Sequence, residues 1–193
     1  LWKVDSAGTT DLMLAFHQAL VRTAAPGVRP AGRTAAAINI DAMYPIGRTK
    51  DIEVVGFGAS ELEDYLKSAT QRQGRVIRPD AEPEKGHYFR SDHFNLAKHG
   101  VPSLYTETGI DAVGRPAGYG QSFKDDYTAN RYHKPSDEYS ASWDVSGILE
   151  DLSLLHAVGS KVANDRHWPE WYPKSEFRAI RETSRGATSG GTH

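Results

Sequence analysis

The sequence holds 193 residues, 38% of them apolar and 25% charged, which suits one globular domain able to bury a sizeable core. The formal net charge of −2 argues against a nucleic-acid or anionic-membrane partner, since either needs a basic face. Cysteine is absent, so there is no disulfide or thiolate chemistry, and any metal must be held by histidines and carboxylates.

No apolar run reaches membrane-spanning length, and the start carries no basic-then-apolar leader pattern. The chain opens on Leu1 rather than Met, as expected of a processed, trimmed or incomplete N-terminus. Leu12, Met13, Phe16 and Leu20 fall near a 3.6-residue period, so residues 10–22 read as a helix. A breaker-rich loop follows around Pro26-Gly27 and Pro30. Residues 34–41 are expected to form a buried strand that ends at Asp41, and Ile52 to Val55 a second one. Ser60-Glu61-Leu62-Glu63 is a capping-box pattern that should open a helix to about Gln73. Arg75 to Arg78 read as a third strand and Pro102 to Thr106 as a fourth. Between them Ser91 is expected to cap a helix near 92–98, ended by Gly100. Residues 108–130, rich in glycine and polar side chains, read as a long functional or mobile loop. Ser142 should cap the longest helix, about 143–164, with Ile148, Leu152, Leu155, Val158 and Val162 along one face. Trp168, Trp171, Tyr172 and Phe177 are expected to pack back onto the body, and 183–193 to form a tail. The domain is therefore expected to be single, over residues 1–182. Alternation of strands and helices predicts an α/β fold with a mixed, mostly parallel sheet covered on both faces. Ligands in such sheets gather at the carboxyl ends of the strands, where Asp41 falls.

Three kinds of chemistry compete for this pattern. Gly56-Phe57-Gly58-Ala59-Ser60-Glu61 follows a strand and opens a helix, with Asp80 about twenty residues on, which is the layout of a dinucleotide fingerprint. Glu61 replaces the third glycine, so a plain strand–turn–helix connection fits better. Ser91-Asp92-His93 has the residue types of a nucleophilic triad, but neighbours in sequence do not form one by adjacency, and no G-x-S-x-G elbow occurs. Asp41 and His133, presented from separate loops, are suitable zinc ligands. By spacing alone, a strand-end Asp is more often a turn residue and a loop His more often solvated.

Three stretches carry a resemblance. Asn39-Ile40-Asp41-Ala42-Met43, then Arg90-Ser91-Asp92-His93-Phe94 with Gly100-Val101-Pro102-Ser103-Leu104, then Tyr132-His133-Lys134-Pro135-Ser136-Asp137 occur in that order. They resemble the Asn-x-Asp-Met, Arg-Ser-Asp-His, Gly-(Ile/Val)-Pro-Ala-Leu and Tyr-His-x-x-x-Asp segments of the bacterial two-zinc aminopeptidase family, whose relatives include glutamate carboxypeptidase-like and glutaminyl cyclase-like proteins. The likeness runs from about 34 to 182 and takes in Asp125-Asp126-Tyr127 and Trp168-Pro169-Glu170-Trp171. It implies a three-layer zinc-exopeptidase-like sandwich, incomplete here, and two zinc ions. Asp41 and His133 would be terminal ligands of different zincs, and Asp5, in a stretch similar to the family's Val-Asp-Asn-Ala-Ser-Gly, would bridge them. Tyr132 would donate to the tetrahedral intermediate, with Arg90 and Asp92 near the substrate. The implied substrate is a peptide with a free N-terminus, and the implied address is periplasmic or secreted.

The sequence also departs from that pattern. Its first glutamate is Glu53, after Asp41, so the family's Glu-Glu pair, which holds the general base and a ligand, has no match. The resemblance then implies a truncated or degenerate member that binds zinc poorly and turns over little. A non-catalytic relative and a dinucleotide-binding module stay as alternatives.

Overall fold

The structure, a computed structural model, describes residues 31–189. Asp5 and the helix expected over 10–22 lie outside the described residues.

Four strands form one sheet: β1 (Ala37–Ile40), β2 (Asp51–Val55), β3 (Val76–Pro79) and β4 (Ser103–Thr108). Their order is β1-β4-β2-β3. The β1/β4 and β2/β3 pairs are parallel and β2/β4 is antiparallel, so the sheet is mixed and mostly parallel, as expected. The helices are α1 (Leu62–Arg72), α2 (His87–Arg90), α3 (His93–Ala97), α4 (Tyr119–Asn130), α5 (Ser146–Asn164) and α6 (Arg178–Ser189).

Side chains alternate across each strand, so every strand divides its residues between two faces. Ile52, Val54 and Leu104 turn to one face, where Leu62, Leu66 and Ala69 of α1 and Leu154, Leu155 and Val158 of α5 cover them. This is the main core. The buried side of α5 is rotated from the expected stripe, because it includes Asp151 rather than Leu152. Asp151 meets Arg75 at 2.7 Å, with both side chains almost wholly buried. Burial pushes the Asp151 carboxyl up to about 6, and Arg75 offsets part of that rise.

The opposite face packs Ala37 against Leu96 and Val101, and Ala97 against Trp171 and Phe177. The C-terminal aromatics thus pack back on the body as expected. Trp171 Nε1 donates to the Gly100 carbonyl at 2.9 Å. Gly100 has φ +84°, and a Cβ there would lie 2.6 Å from the Arg181 nitrogen. Only glycine lets α6 come this close. Arg181 then donates to the Ala31 and Thr34 carbonyls at 3.1 and 2.9 Å.

Four local expectations change. Residues 108–130 are not all loop, because α4 occupies Tyr119–Asn130. Its apolar signal is three aromatics at four-residue spacing, Tyr119, Phe123 and Tyr127, set among glycines and polar residues that read as loop. Residues 183–189 continue α6 instead of starting a tail. Ahead of α5, Asp144 rather than Ser142 accepts from the Ser146 amide, at 3.1 Å. The capping box forms by half. Glu63 reaches back to the Gly58, Ala59 and Ser60 amides, while the Ser60 hydroxyl makes no cap. No helix among the described residues is long and apolar enough to cross a membrane.

Candidate functional site

Asn39 lies on β1, on the face away from the main core, and Asp41 emerges just past the end of that strand. Ser91 comes from the junction between α2 and α3. Asn39 Nδ2 donates to Ser91 Oγ at 2.7 Å, and Ser91 Oγ donates to Asp41 Oδ2 at 2.8 Å. A hydroxyl has one proton to give, so this bond orients Ser91 and fixes one oxygen of the exposed carboxylate. Its local sequence suits Ser91 to a helix cap. The structure makes it the group that holds Asp41. Nothing in a one-dimensional pattern signals a contact across fifty residues.

A buried polar network lies beside this chain of bonds, on the same face of the sheet. Tyr105, opposite Asn39 in register, donates to Glu107 Oε1 at 2.8 Å. Lys124 of α4 donates to Glu107 Oε2 at 2.8 Å and to Glu53 Oε1 at 3.1 Å. Burial pushes the Glu53 carboxyl up, and Lys124 offsets part of that. Burial would lower the Lys124 ammonium, but Glu107 and Glu53 reverse the effect and leave it above its ordinary range. Sequence reasoning found none of these four residues. Lys and Glu are read as surface groups unless a partner is known, and the partners here come from three separate elements.

The His133 loop hangs from the end of α4. The Arg131 and Tyr132 amides both donate to the Tyr127 carbonyl at 2.8 Å, and the Tyr127 hydroxyl donates to Asp137 at 2.7 Å. The Tyr127 ring meets Tyr44 edge-on at 5.6 Å, and Phe123 meets the same ring at 6.0 Å. Tyr44 is three residues past Asp41, so the two expected ligand segments are joined through this aromatic cluster. His133 has φ 57°, an uncommon conformation outside glycine, and it stacks on Tyr132 at 3.9 Å. Both are exposed.

Arg90, at the end of α2, is exposed and donates to the Lys85 carbonyl at 2.7 Å. Asp92, half-buried, stands at the start of α3. His93 is wholly buried between Tyr88 and Tyr105, with ring centroids 4.6 and 5.1 Å away. Neither of its ring nitrogens meets a protein partner. Burial pulls its pKa down to about 4. A neutral imidazole packed between two rings is a core residue, not the base of a triad with Ser91, whose proton already goes to Asp41.

The dinucleotide alternative meets a direct obstacle. Glu63 Oε1 and Oε2 accept from the Gly58 amide at 2.9 Å each, and Oε1 accepts from Ala59 at 2.7 Å. The amides that would cradle a pyrophosphate are therefore already bound to a carboxylate of the chain itself.

Zinc binding has a narrower test. Asp41 and His133 have suitable donor chemistry, but among the described residues no group of three or more His, Asp or Glu side chains comes together to hold a metal. The described residues alone thus fall short of a three-ligand site.

The family comparison decides the relationship. The model of peptidase family M28 matches residues 17–156, most of the chain. The chain belongs to peptidase family M28. The M28 match takes in Asp41, Arg90, Asp92, Tyr132 and His133, while Asp5 precedes it. It does not separate carboxypeptidase-like from cyclase-like branches. Neither the curated proteins nor the solved structures give a match to this M28 chain.

Proposed function

We propose that this M28 protein is a zinc-dependent, aminopeptidase-like hydrolase that removes N-terminal residues from peptides, with low activity in the chain as it stands. The observation that carries the reading is the Asn39–Ser91–Asp41 chain of hydrogen bonds. An exposed carboxylate at a strand end needs no such support for stability. A metal ligand does, because outer-shell hydrogen bonds orient it and tune its affinity.

In this reading Asp41 and His133 each contribute one ligand to neighbouring zinc ions, with Asp5 shared. Zinc, when bound, would polarise the scissile carbonyl and acidify a water. Tyr132 would donate to the oxygen that gains charge, and Arg90 and Asp92 would contact the substrate. Low activity follows from the missing Glu-Glu pair, since loss of a general base removes about two to four orders of magnitude. A periplasmic or secreted address goes with this reading. The shortage of donors among the described residues favours a second one, a binding relative without turnover.

Zinc titration by calorimetry and assays on aminoacyl-nitroanilides test these readings. Weak zinc binding with slow, zinc-dependent hydrolysis is expected. Tight stoichiometric zinc with robust turnover would overturn the degenerate part. Zinc binding without hydrolysis would leave the binding relative, and neither binding nor hydrolysis would overturn both.

A further inference from the structure

Glu53 and Glu107 sit directly opposite each other in the antiparallel β2/β4 register, both almost wholly buried. Like charges in that position repel, and the cation that the sheet places beside Glu53, Arg78 of β3, is bonded to Asp51 at 2.7 Å. The cation that bonds to both glutamates, Lys124, comes from α4. Apart from that ion pair, α4 packs one aromatic side, Tyr119, Phe123 and Tyr127, on Tyr44, Ile46 and Ala112, and Gly120, its one buried residue, lies against the Ile110 backbone. The paired carboxylates therefore form a socket for one ammonium group, and filling it docks α4.

We propose that Lys124 is a positioning residue that sets where the His133 loop stands relative to Asp41. The proposal rests on the reading of these two residues as metal ligands. Lys124 is six residues before the end of α4, and the loop is tied to that end through Tyr127, whose carbonyl and hydroxyl both bond to it. On its other side, Glu107 binds the Tyr105 hydroxyl, and Tyr105 lies beside Asn39, which holds Ser91 against Asp41. One ammonium thus links the helix that leads to His133 to β2 and β4, and β4 pairs with β1, the strand that ends before Asp41. An apolar contact in its place could slide. Two charge-assisted bonds to fixed carboxylates define a point.

The test uses Lys124→Met together with the double variant Lys124→Met/Glu53→Gln. The single variant leaves two buried carboxylates unpaired and is expected to lose much of its stability. The double variant removes one charge of each sign, keeps the cluster's net charge, and leaves the Tyr105–Glu107 bond in place. Expected in the double variant are a cooperative melt near that of the wild type and about tenfold or faster amide exchange over 119–138, with β1 and α5 unchanged. Zinc affinity should fall about tenfold or more, and Lys124→Arg should restore both readouts. Wild-type exchange over 119–138 in the double variant would overturn the proposal, as would faster exchange spread evenly over the whole sheet. Absence of zinc binding in the wild type would instead sink the ligand reading, while the exchange measurement still decides the role of Lys124.

Discussion

The Ser91 hydroxyl donates to the Asp41 carboxylate across 2.8 Å, from a segment fifty residues further along the chain. Ser91 in turn accepts from Asn39, so a strand residue supports the strand-end carboxylate through a side chain from the opposite segment. If Asp41 is a metal ligand, Ser91→Ala should weaken zinc binding by about ten- to a hundredfold while leaving the fold intact. Calorimetric titration of both proteins checks this. Equal affinities would remove Ser91 from the site.

Glu63 binds the amides of the loop between β2 and α1. Hydrogen bonds to a charged acceptor are worth about 1.5–3 kcal/mol each, so Glu63→Ala should cost at least about 2 kcal/mol. Glu63→Gln keeps one acceptor oxygen and should cost less. Urea unfolding of the three proteins gives the order, and the prediction fails if Ala and Gln are equivalent.

His93 gives a pH dependence with a definite sign. Its folded pKa, about 4, lies below the ordinary 6.5 because burial disfavours the charged ring. The native state then binds fewer protons than the unfolded state between these values. Its stability is complete above pH 6.5 and declines as pH falls toward 4, by about 3 kcal/mol in all. His93→Leu, close in volume and without polar atoms to leave unpaired, should be nearly neutral at pH 7.5. It should then lose less stability than the wild type between pH 6.5 and 4.5. Parallel unfolding curves at the two pH values decide it.

Gly100→Ala tests how α6 is docked. The new methyl group would meet the Arg181 backbone, and the position has a positive φ. Steric conflict and an unfavourable conformation together should cost about 2 kcal/mol or more. The loss should appear first as faster amide exchange in α6. Wild-type stability would show that the helix can shift without consequence.

A resemblance to the family was legible in the sequence because it was carried by short ordered strings such as Arg90-Ser91-Asp92-His93 and Tyr132-His133, which need no knowledge of contacts. The strands and the long helices were legible for a related reason. Ile52 to Val55 is a short β-branched run and α5 carries an apolar stripe near the helical period, although Asp151 and not Leu152 falls on its buried side. Helix α4 was not legible, because its three aromatics, Tyr119, Phe123 and Tyr127, stand among glycines and polar residues, and its remaining anchor is a half-buried lysine. Ser91 shows the other limit. Its local context offered a helix cap, and only the fold brings Asn39 and Asp41 near enough to claim its hydroxyl. Residue types and local periods are properties of the chain and can be read along it. Which carboxylate a serine holds, and which lysine neutralises Glu53 and Glu107, depends on distances between segments, and those exist only once the sheet has formed.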